Sequence, residues 1–464
     1  MSDSTKQTTT TSNNENKKLL NTFDIFSHVV GNTIGAGVWV MLGLGIAVTG
    51  KSISLVMIVG AFLMLVAYSY NIIMVSMFPL KGGDYSQKTL VFTPLIGGIV
   101  SYMQLVDGFA FSLLALSACQ FGATVVPAIG DYSTIISLVI ISLFFLSTIV
   151  GDKLVARIKG LLVVCVLAAI AVFIVVGLFN VKSGYISEGE FFTGGMKGFW
   201  SALSLTAYAS MGTTVGAVNH AYVTKDPKRT VPKGILLGTL VVGIVYGLMG
   251  IVATGVLPIE EVMGKSVVLV AKDILPKHIY TLFVFGGICF ALLGSMLGQI
   301  TMHRYPVEQV ADDGWLPAIF RKKSKNGYPY VIMGLFYVVS VVPILFGFNL
   351  DFIVSLLTIP ALLLNAYCNM ASLYVIKKFP SQWERSSMHM PFWAISILCG
   401  LGTAACLVVV YNLFIGENTL QKIIQVSITV GMAILAYIRL KTGAVDVSKI
   451  EGKAAIVRAE AEQY

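Results

Sequence analysis

A glycine-rich interruption in the first apolar stretch of the chain constrains its fold more than any other feature. The stretch covers residues 23–50, and residues 31–39 in its middle read GNTIGAGVW. Each glycine costs about 1 kcal/mol of helix propensity relative to alanine. Unwound backbone is tolerated at membrane depth only where it is buried in protein or lines a cavity. The segment therefore predicts a broken helix at a solute-binding site, with a continuous, tightly packed helix as the alternative.

The composition indicates a membrane protein built from helices. Of the 464 residues, 56% are hydrophobic and only 12% are charged, about half the charged share of a soluble domain. Apolar runs of about 18–30 residues recur along the chain, and each is long enough to cross a bilayer. We predict an all-α protein with about twelve transmembrane helices, at residues 24–50, 53–78, 92–127, 133–150, 158–180, 196–222, 231–256, 278–304, 329–348, 350–377, 390–415 and 419–438.

The distribution of basic residues predicts the orientation of the chain. With a cytoplasmic N-terminus, most of the 32 Lys and Arg residues fall on the cytoplasmic side, as they do in most membrane proteins. The external side keeps only Lys51, Lys182, Lys197, Lys265, Lys272, Lys277 and Lys422. The net charge of +9 therefore reflects topology and does not indicate a nucleic-acid interface. We expect a multi-pass plasma-membrane protein with cytoplasmic tails at residues 1–22, which are predicted to be disordered, and 441–464.

A second soft segment lies in the sixth predicted span. Residues 200–216 read WSALSLTAYASMGTTVG, so small and hydroxylated residues with two glycines occupy the middle of the span. Two weakened helices at matching positions of two five-span halves are typical of transporters built from inverted repeats. We therefore predict a 5+5 inverted repeat, with halves at residues 23–180 and 196–378 and two further helices at 389–440.

Four motifs, in the expected order, resemble those of the amino acid–polyamine–organocation (APC) superfamily. Residues 31–39 match its first-helix signature, and residues 79–85 (PLKGGDY) resemble its GG-x-Y loop. Residues 224–232 (TKDPKRTVP) are similar to its loop after helix six. Arg304, followed by ADDGWLP at residues 311–317, is similar to its segment after helix eight. The resemblance covers nearly the whole chain and implies the APC/LeuT-type fold of an amino acid permease, with discontinuous helices one and six.

The helix breaks offer opposite partners to the two charges of an amino acid. Where a helix restarts, exposed N–H groups and the positive end of the helix dipole favour a carboxylate. Where a helix stops, unpaired carbonyl groups accept hydrogen bonds from an ammonium. The predicted substrate-binding residues are Thr33, Ile34, Gly35, Ala36, Gly37, Ser112, Tyr208, Ala209, Ser210 and Gly212.

The resemblance supports two of these assignments. It places Tyr208 where relatives have an aromatic residue that covers the substrate, with an ordinary packing aromatic as the alternative. It places Ser112 at about the depth where a relative contacts substrate.

Asp107 is the only acidic residue deep within a predicted span. An intramembrane carboxylate costs several kcal/mol, on the order of 3, unless it is paired or hydrated, and it therefore marks a candidate functional site. It is a candidate for binding a cationic side chain, for carrying a coupling proton, or for pairing with a polar group of span eight or ten. A neutral Asp with a structural hydrogen bond is the alternative. Gln104, Gly108 and Ser112 share its helical face, which indicates a polar, inward-facing stripe.

The sequence does not decide the coupling ion. Many APC relatives have an acidic residue where this chain has Thr214, and proton-coupled relatives often have a lysine where it has Val166. These departures argue against lysine-based proton coupling. Exchange is one possibility, and a sodium ion held by first-helix carbonyls and a hydroxyl such as Ser295 is another. A serine at such a position is more often a small packing residue. No cofactor is expected beyond this unresolved Na⁺ or H⁺.

Other polar residues are assigned structural roles. Asn365 and Asn369 in span ten either line the pathway or bridge helices. His28, one turn before the first break, is expected to pack at the intracellular gate, and His220 and His303 are expected at solvated span ends. The six cysteines lie within spans at spacings that indicate no metal site, so we interpret them as packing residues.

The leading interpretation is a secondary carrier of L-amino acids that works by alternating access, with small or neutral substrates favoured. A cationic amino acid or polyamine antiporter of the same fold and a non-transporting amino acid sensor are the alternatives. The chain has no HExxH motif, catalytic carboxylate cluster or P-loop, which argues against a membrane enzyme or a primary pump. The expected partners are a small-molecule amino acid and the lipid bilayer, with neither nucleic acid nor an accessory subunit indicated.

Overall fold

The computed structural model describes residues 20–34, 36–80, 82–147, 152–186, 190–263, 267–325 and 327–464. These residues are almost entirely helical, and an isolated parallel β-bridge joins Leu20 to Thr224. The predicted all-α class is therefore confirmed. The predicted substrate-binding residue Gly35 and most of the predicted N-terminal tail lie outside the described residues.

The α-helices of the first half follow the predicted spans but divide three of them. The first, second and third spans each consist of two consecutive helices. The helices are α1 Thr22–Thr33, α2 Ala36–Thr49, α3 Ile53–Ala67, α4 Ser69–Met77, α5 Gly83–Thr89, α6 Pro94–Val106, α7 Phe109–Ala123, α8 Ala128–Asp131, α9 Ser133–Ser147 and α10 Asp152–Asn180.

The second half also contains irregular helical turns. A 3₁₀ segment, Ala207–Ser210, divides the sixth span, and a π-helical segment, Phe283–Cys289, lies in the eighth. The α-helices are α11 Gly195–Thr206, α12 Gly212–Val218, α13 Pro227–Gly255, α14 Ile259–Val262, α15 Val268–Ile274, α16 Lys277–Leu282, α17 Phe290–Asp312, α18 Tyr330–Leu345, α19 Leu350–Lys378, α20 Pro380–Glu384, α21 Phe392–Gly416, α22 Thr419–Lys441 and α23 Val447–Glu462.

Several helices have the length and apolar character of membrane spans. Among the described residues, seven meet both criteria, so the chain is a multi-pass membrane protein. They are Gly37–Ala67, Pro94–Ala123, Pro227–Gly255, Lys277–Ile300, Leu350–Lys378, Phe392–Gly416 and Thr419–Lys441. Three shorter apolar helices accompany them, at Ser133–Ser147, Val164–Asn180 and Tyr330–Leu345.

Helix α13 packs closely along α1 and α3 because glycines line its contact faces. A Cβ atom added at Gly238 would lie 2.4 Å from a methyl carbon of Val29 in α1. On the α3 side, a Cβ atom at Gly250 would lie 2.7 Å from the Cα atom of Ser54. Such close backbone approach is how helices associate in lipid, where no hydrophobic driving force acts between them. As a result, α13 lies directly beside the interruption in the first span.

The second span is interrupted at Tyr68, and a side chain of α19 satisfies the freed backbone groups. Asn369 Oδ1 accepts hydrogen bonds from Ser69 Oγ and from the Tyr70 backbone N–H, both at 3.0 Å. Its Nδ2 donates to the Ala67 carbonyl at 2.9 Å. Polar backbone groups in a membrane interior must find protein partners, and Asn369 supplies them from another helix.

Helix α23 packs against several segments that connect the longer helices. Lys453 Nζ lies 2.5 Å from Asp313 Oδ1, after α17. Gln382 Nε2 of α20 donates to the Glu462 carbonyl at 3.4 Å. The Tyr464 hydroxyl donates to the Pro79 carbonyl at 3.2 Å. Part of the predicted C-terminal tail is therefore an ordered helix.

Candidate functional site

The first span is interrupted where the glycine pattern predicts. Helix α1 ends at Thr33, and α2 begins at Ala36. The Thr33 hydroxyl donates back to the Val29 carbonyl at 2.7 Å, and the Ile34 N–H donates to the Val30 carbonyl at 2.7 Å. Thr33 and Ile34 are both buried. The interruption therefore lies within protein, as unwound backbone at membrane depth requires.

The sixth span narrows into a 3₁₀ segment instead of opening into a loop. The segment covers Ala207–Ser210, between α11 and α12. Within it the Tyr208 carbonyl accepts from the Met211 N–H at 3.3 Å, and the Ser210 carbonyl accepts from the Thr213 hydroxyl at 3.1 Å. A short 3₁₀ stretch inside a longer helix often marks a hinge or a functional site.

One tyrosine joins the two interruptions. The hydroxyl of Tyr246, in α13, donates to the Thr33 carbonyl at 2.7 Å and to the Ala209 carbonyl at 3.2 Å. Tyr246 has no exposed surface, and its single proton is shared between the two acceptors. In addition, a Cβ atom added at Gly37 would lie 3.9 Å from the Cα atom of Ala209. The carbonyls predicted to accept an ammonium thus lie beside each other and near the start of α2.

Sequence reasoning missed Tyr246. The available signal was a phenolic hydroxyl in the middle of an apolar span, because a buried tyrosine hydroxyl usually has a hydrogen-bond partner. That signal does not identify the partner. The two acceptors precede it by 213 and 37 residues, and only the packing of α13 against the first and sixth spans brings them together.

Asp107 lies at a junction between α6 and α7 and faces a histidine of α17. Its Oδ2 lies 3.4 Å from Nε2 of His303, with 36% and 21% of the respective side chains exposed. The His303 Nδ1 atom bonds to the Gln299 carbonyl at 2.9 Å, and its ring stacks on Phe336. The interpretation of His303 as a solvated span end is therefore wrong, because the fold turns this side chain inward onto Asp107.

Two more of the five histidines, His28 and His220, meet where α1 passes α12. The rings of His28 and His220 stack with their centroids 4.1 Å apart. Nδ1 of His220 bonds to the Gly216 carbonyl at 2.7 Å. His28 thus packs against the end of the sixth span, and its role at an intracellular gate stays a prediction. His220 is part of the same contact and is only partly exposed.

The remaining predicted site residues lie in varied surroundings, and their roles stay predictions. Ser112 is fully buried and donates to the Ser340 carbonyl in this conformation. The side chains of Thr214 and Asn365 are buried, and Thr214 Oγ1 and Asn365 Nδ2 find no hydrogen-bond partner within the described part of the chain. Gln104 and Ser295 are partly buried, as is Gly212 at the start of α12.

A charged network joins the GG-x-Y loop to the end of α12. Asp84 Oδ2 lies 2.8 Å from Lys88 Nζ, and its Oδ1 accepts from Tyr70 at 2.6 Å and from Asn71 at 2.7 Å. The Asp84 backbone N–H donates to Asn219 Oδ1 at 3.0 Å. Burial alone would raise the pKa of Asp84, but the Lys88 ammonium and the two donors hold that pKa below its ordinary value. Burial alone would likewise lower the pKa of Lys88, and the Asp84 carboxylate instead raises it.

Known proteins of similar sequence are transporters where their function is named. The family model described as "Amino acid permease" matches residues 20–437. Branched-chain amino acid permease BcaP of Bacillus subtilis is 24% identical over 428 residues, which cover 86% of this chain and 88% of the relative. The cadaverine/lysine antiporter of Escherichia coli is 27% identical over 317 residues, covering 65% and 68%. An uncharacterized protein of Methanocaldococcus jannaschii is 27% identical over 359 residues, covering 74% and 79%.

These similarities confirm the resemblance derived from the four motifs. The matched residues include the interrupted first and sixth spans, the Asp84 network and the Asp107–His303 contact. The family is one of transporters and not of enzymes. The chain belongs to the amino acid permease family of the APC superfamily.

Proposed function

We propose that this chain is a secondary active carrier of L-amino acids that works by alternating access in the plasma membrane, with both termini in the cytoplasm. Twelve transmembrane helices would form its 5+5 inverted repeat and two additional C-terminal helices. The observation that carries the proposal is the contact between two interrupted spans through Tyr246. Matching interruptions in two halves are how transporters of this kind form a binding site near the bilayer midplane.

The interrupted helices supply a recognition site for both charges of an amino acid. The first N–H groups of α2, at Ala36 and Gly37, would donate hydrogen bonds to the carboxylate, since the first N–H groups of a helix have no intrahelical partners and lie at the positive end of the helix dipole. The Thr33 and Ala209 carbonyls, which Tyr246 holds together, would accept the ammonium. This arrangement suits a substrate with a neutral side chain, because backbone groups of the carrier already bind the substrate's carboxylate and ammonium.

The surroundings of Asp107 favour a neutral substrate over a cationic one. This carboxylate already faces His303, so a substrate cation would have to displace the imidazole. The similarity to a branched-chain amino acid permease points in the same direction. The second candidate is a cationic amino acid or polyamine antiporter, which the partial exposure of Asp107 and the similarity to the cadaverine/lysine antiporter support.

Equilibrium counterflow in proteoliposomes tests the proposal. Vesicles preloaded with unlabelled leucine should take up labelled leucine, and external alanine or leucine should compete while arginine, lysine and cadaverine do not. Competition by the cationic compounds alone would favour the antiporter. If no amino acid or polyamine supports counterflow while ligands still stabilise the protein, the chain is a sensor and the proposal is wrong.

A substitution at Gly37 tests whether the amides at the start of α2 bind the substrate carboxylate. Among the described residues, a Cβ atom there would approach the Ala209 Cα atom alone, at 3.9 Å, which is an ordinary contact distance. Gly37→Ala should therefore fold, while its methyl group occupies space beside the amides proposed to hold the carboxylate. We expect leucine affinity to fall by about tenfold, equivalent to about 1.4 kcal/mol. The matched control is Gly43→Ala in the same helix, where a Cβ atom has no neighbour within 4 Å.

A further inference from the structure

We infer that the contact between Asp107 and His303 is the site where the carrier binds its coupling proton. The inference rests on the proposed function and specifies its driving ion. Asp107 lies where α6 gives way to α7 in the third span, and His303 lies in α17 of the eighth. The contact therefore joins two membrane spans, and its strength depends on whether His303 carries a second ring proton.

The hydrogen bonding of His303 decides which nitrogen takes up the proton. Nδ1 lies 2.9 Å from the Gln299 carbonyl oxygen, which only accepts, so Nδ1 carries a hydrogen. Nε2 is therefore the titrating atom, and it faces Asp107 Oδ2 at 3.4 Å. With a proton on Nε2 the contact is an imidazolium–carboxylate pair of zero net charge. Without that proton, two lone pairs face each other and an unpaired carboxylate remains inside the protein.

This difference provides a coupling mechanism. An unpaired charge inside a membrane protein is costly, so loss of the proton favours separation of the third and eighth spans and hydration of Asp107. Gain of one proton at Nε2 restores the pair and favours their contact. Both side chains are partly exposed, so water can deliver the proton.

The other ionisable groups around the pair keep their charge state at physiological pH. Tyr68, from the junction of α3 and α4, Tyr208, from the 3₁₀ segment, and Lys88, from α5, interact electrostatically with Asp107. The Lys88 ammonium already lies 2.8 Å from Asp84, and the two phenols are neutral at physiological pH. From α18, the apolar ring of Phe336 stacks on His303.

The pair is also close to the substrate site. Tyr208, which the family resemblance places over the substrate, belongs to the segment that supplies the Ala209 carbonyl and lies within electrostatic range of Asp107. Substrate binding at the interrupted spans and protonation of the pair therefore act on neighbouring parts of the sixth, third and eighth spans. Coupling requires that the proton and the substrate shift the same conformational equilibrium, and both act here on the packing of these spans.

Gradient-driven uptake and counterflow in sodium-free proteoliposomes separate coupling from transport. With the outside one pH unit more acidic, the wild type should accumulate leucine by up to about tenfold at one proton per substrate, since one unit corresponds to about 1.4 kcal/mol. A pH dye inside the vesicles should report proton entry when leucine is added. Asp107→Asn and His303→Gln should lose accumulation and proton entry while retaining counterflow. The control Asp312→Asn, at the end of the same helix α17, should behave as the wild type.

Each other outcome overturns the inference. Wild-type counterflow without substrate-induced proton entry would show that proton coupling is absent, although the proposed carrier function would stand. Accumulation retained in both variants would show that the pair is not the coupling site. Competition by arginine in the wild type that is lost in Asp107→Asn, with proton entry unchanged, would make Asp107 a subsite for a substrate cation. Absence of wild-type counterflow would instead refute the proposed function itself.

Discussion

Replacing Tyr246 by phenylalanine removes one oxygen atom from the contact between the two interrupted spans. That oxygen donates to the Thr33 and Ala209 carbonyls at 2.7 and 3.2 Å and is fully buried. The variant keeps the ring and its packing, but it leaves two buried acceptors without this donor. An unsatisfied buried acceptor costs about 1–3 kcal/mol, so the free energy of unfolding without substrate should fall by about that amount.

Substrate should repair this loss. If the ammonium of an amino acid binds the same two carbonyls, it supplies the missing donor in Tyr246→Phe. The thermal shift caused by saturating leucine should then be larger in the variant than in the wild type. Leucine at a hundredfold excess over the wild-type Kd stabilises the wild type by about 2.7 kcal/mol through mass action. At the same leucine concentration the recovered hydrogen bond should add about 1 kcal/mol to this stabilisation in the variant.

The assay is a thermal-shift titration of wild type and variant with leucine and with a carboxylate analogue that lacks the amine. The control is Tyr102→Phe, which deletes another buried hydroxyl that donates to a carbonyl, that of Trp315. The control should lose stability that leucine does not restore, and the amine-free analogue should repair neither variant. Equal leucine shifts in wild type and Tyr246→Phe would refute the assignment of these carbonyls to the ammonium.

Three further substitutions test other parts of the structure. The pKa of Asp84 is held below its ordinary value of 3.8, so its network stabilises the fold above that pH and loses this effect as the pH falls through the lowered pKa. The Asp84→Asn variant should therefore have a smaller free energy of unfolding than wild type at pH 7. Between pH 5 and 3 the variant should lose less stability than wild type. Burial raises the pKa of Glu417 to about 7, so the fold loses stability as the pH rises from about 4.5 through 7. The Glu417→Gln variant should therefore have a higher melting temperature than wild type at pH 8 and the same melting temperature at pH 5. A Cβ atom at Gly402 would lie 2.8 Å from Asn369 Nδ2, so Gly402→Ala should disturb the second-span interruption and lower the free energy of unfolding by about 1–3 kcal/mol. The control is Gly400→Ala, where a Cβ atom has no neighbour within 4 Å among the described residues; it should leave the melting temperature unchanged.

The glycine pattern located the first interruption because the cause is local. Glycines at positions 31, 35 and 37 weaken the helix whatever lies beside it, and α1 ends at Thr33. The interruption at Tyr68 lacks such a signal, since no glycine or proline lies within one helical turn of it. Its freed carbonyl and N–H groups are stabilised by Asn369, about 300 residues further along the chain. No local propensity contains that information.

The candidate site, too, could be predicted from the sequence only where its cause is local. The predicted carbonyls of Thr33 and Ala209 follow from where helices stop, whereas the donor that joins them belongs to α13. Asp107 was recognisable from the cost of a carboxylate in a span. Its partner was not, because His303 lies near the end of its predicted span and only the packing of α17 against the third span turns it inward.

A cryo-electron microscopy map of the protein with saturating leucine tests the central claim most directly. We expect the substrate carboxylate within hydrogen-bond distance of the Ala36 and Gly37 amides, and its ammonium at the carbonyls that Tyr246 joins. Leucine bound elsewhere, or a helix that runs unbroken through residues 30–40, would contradict the claim.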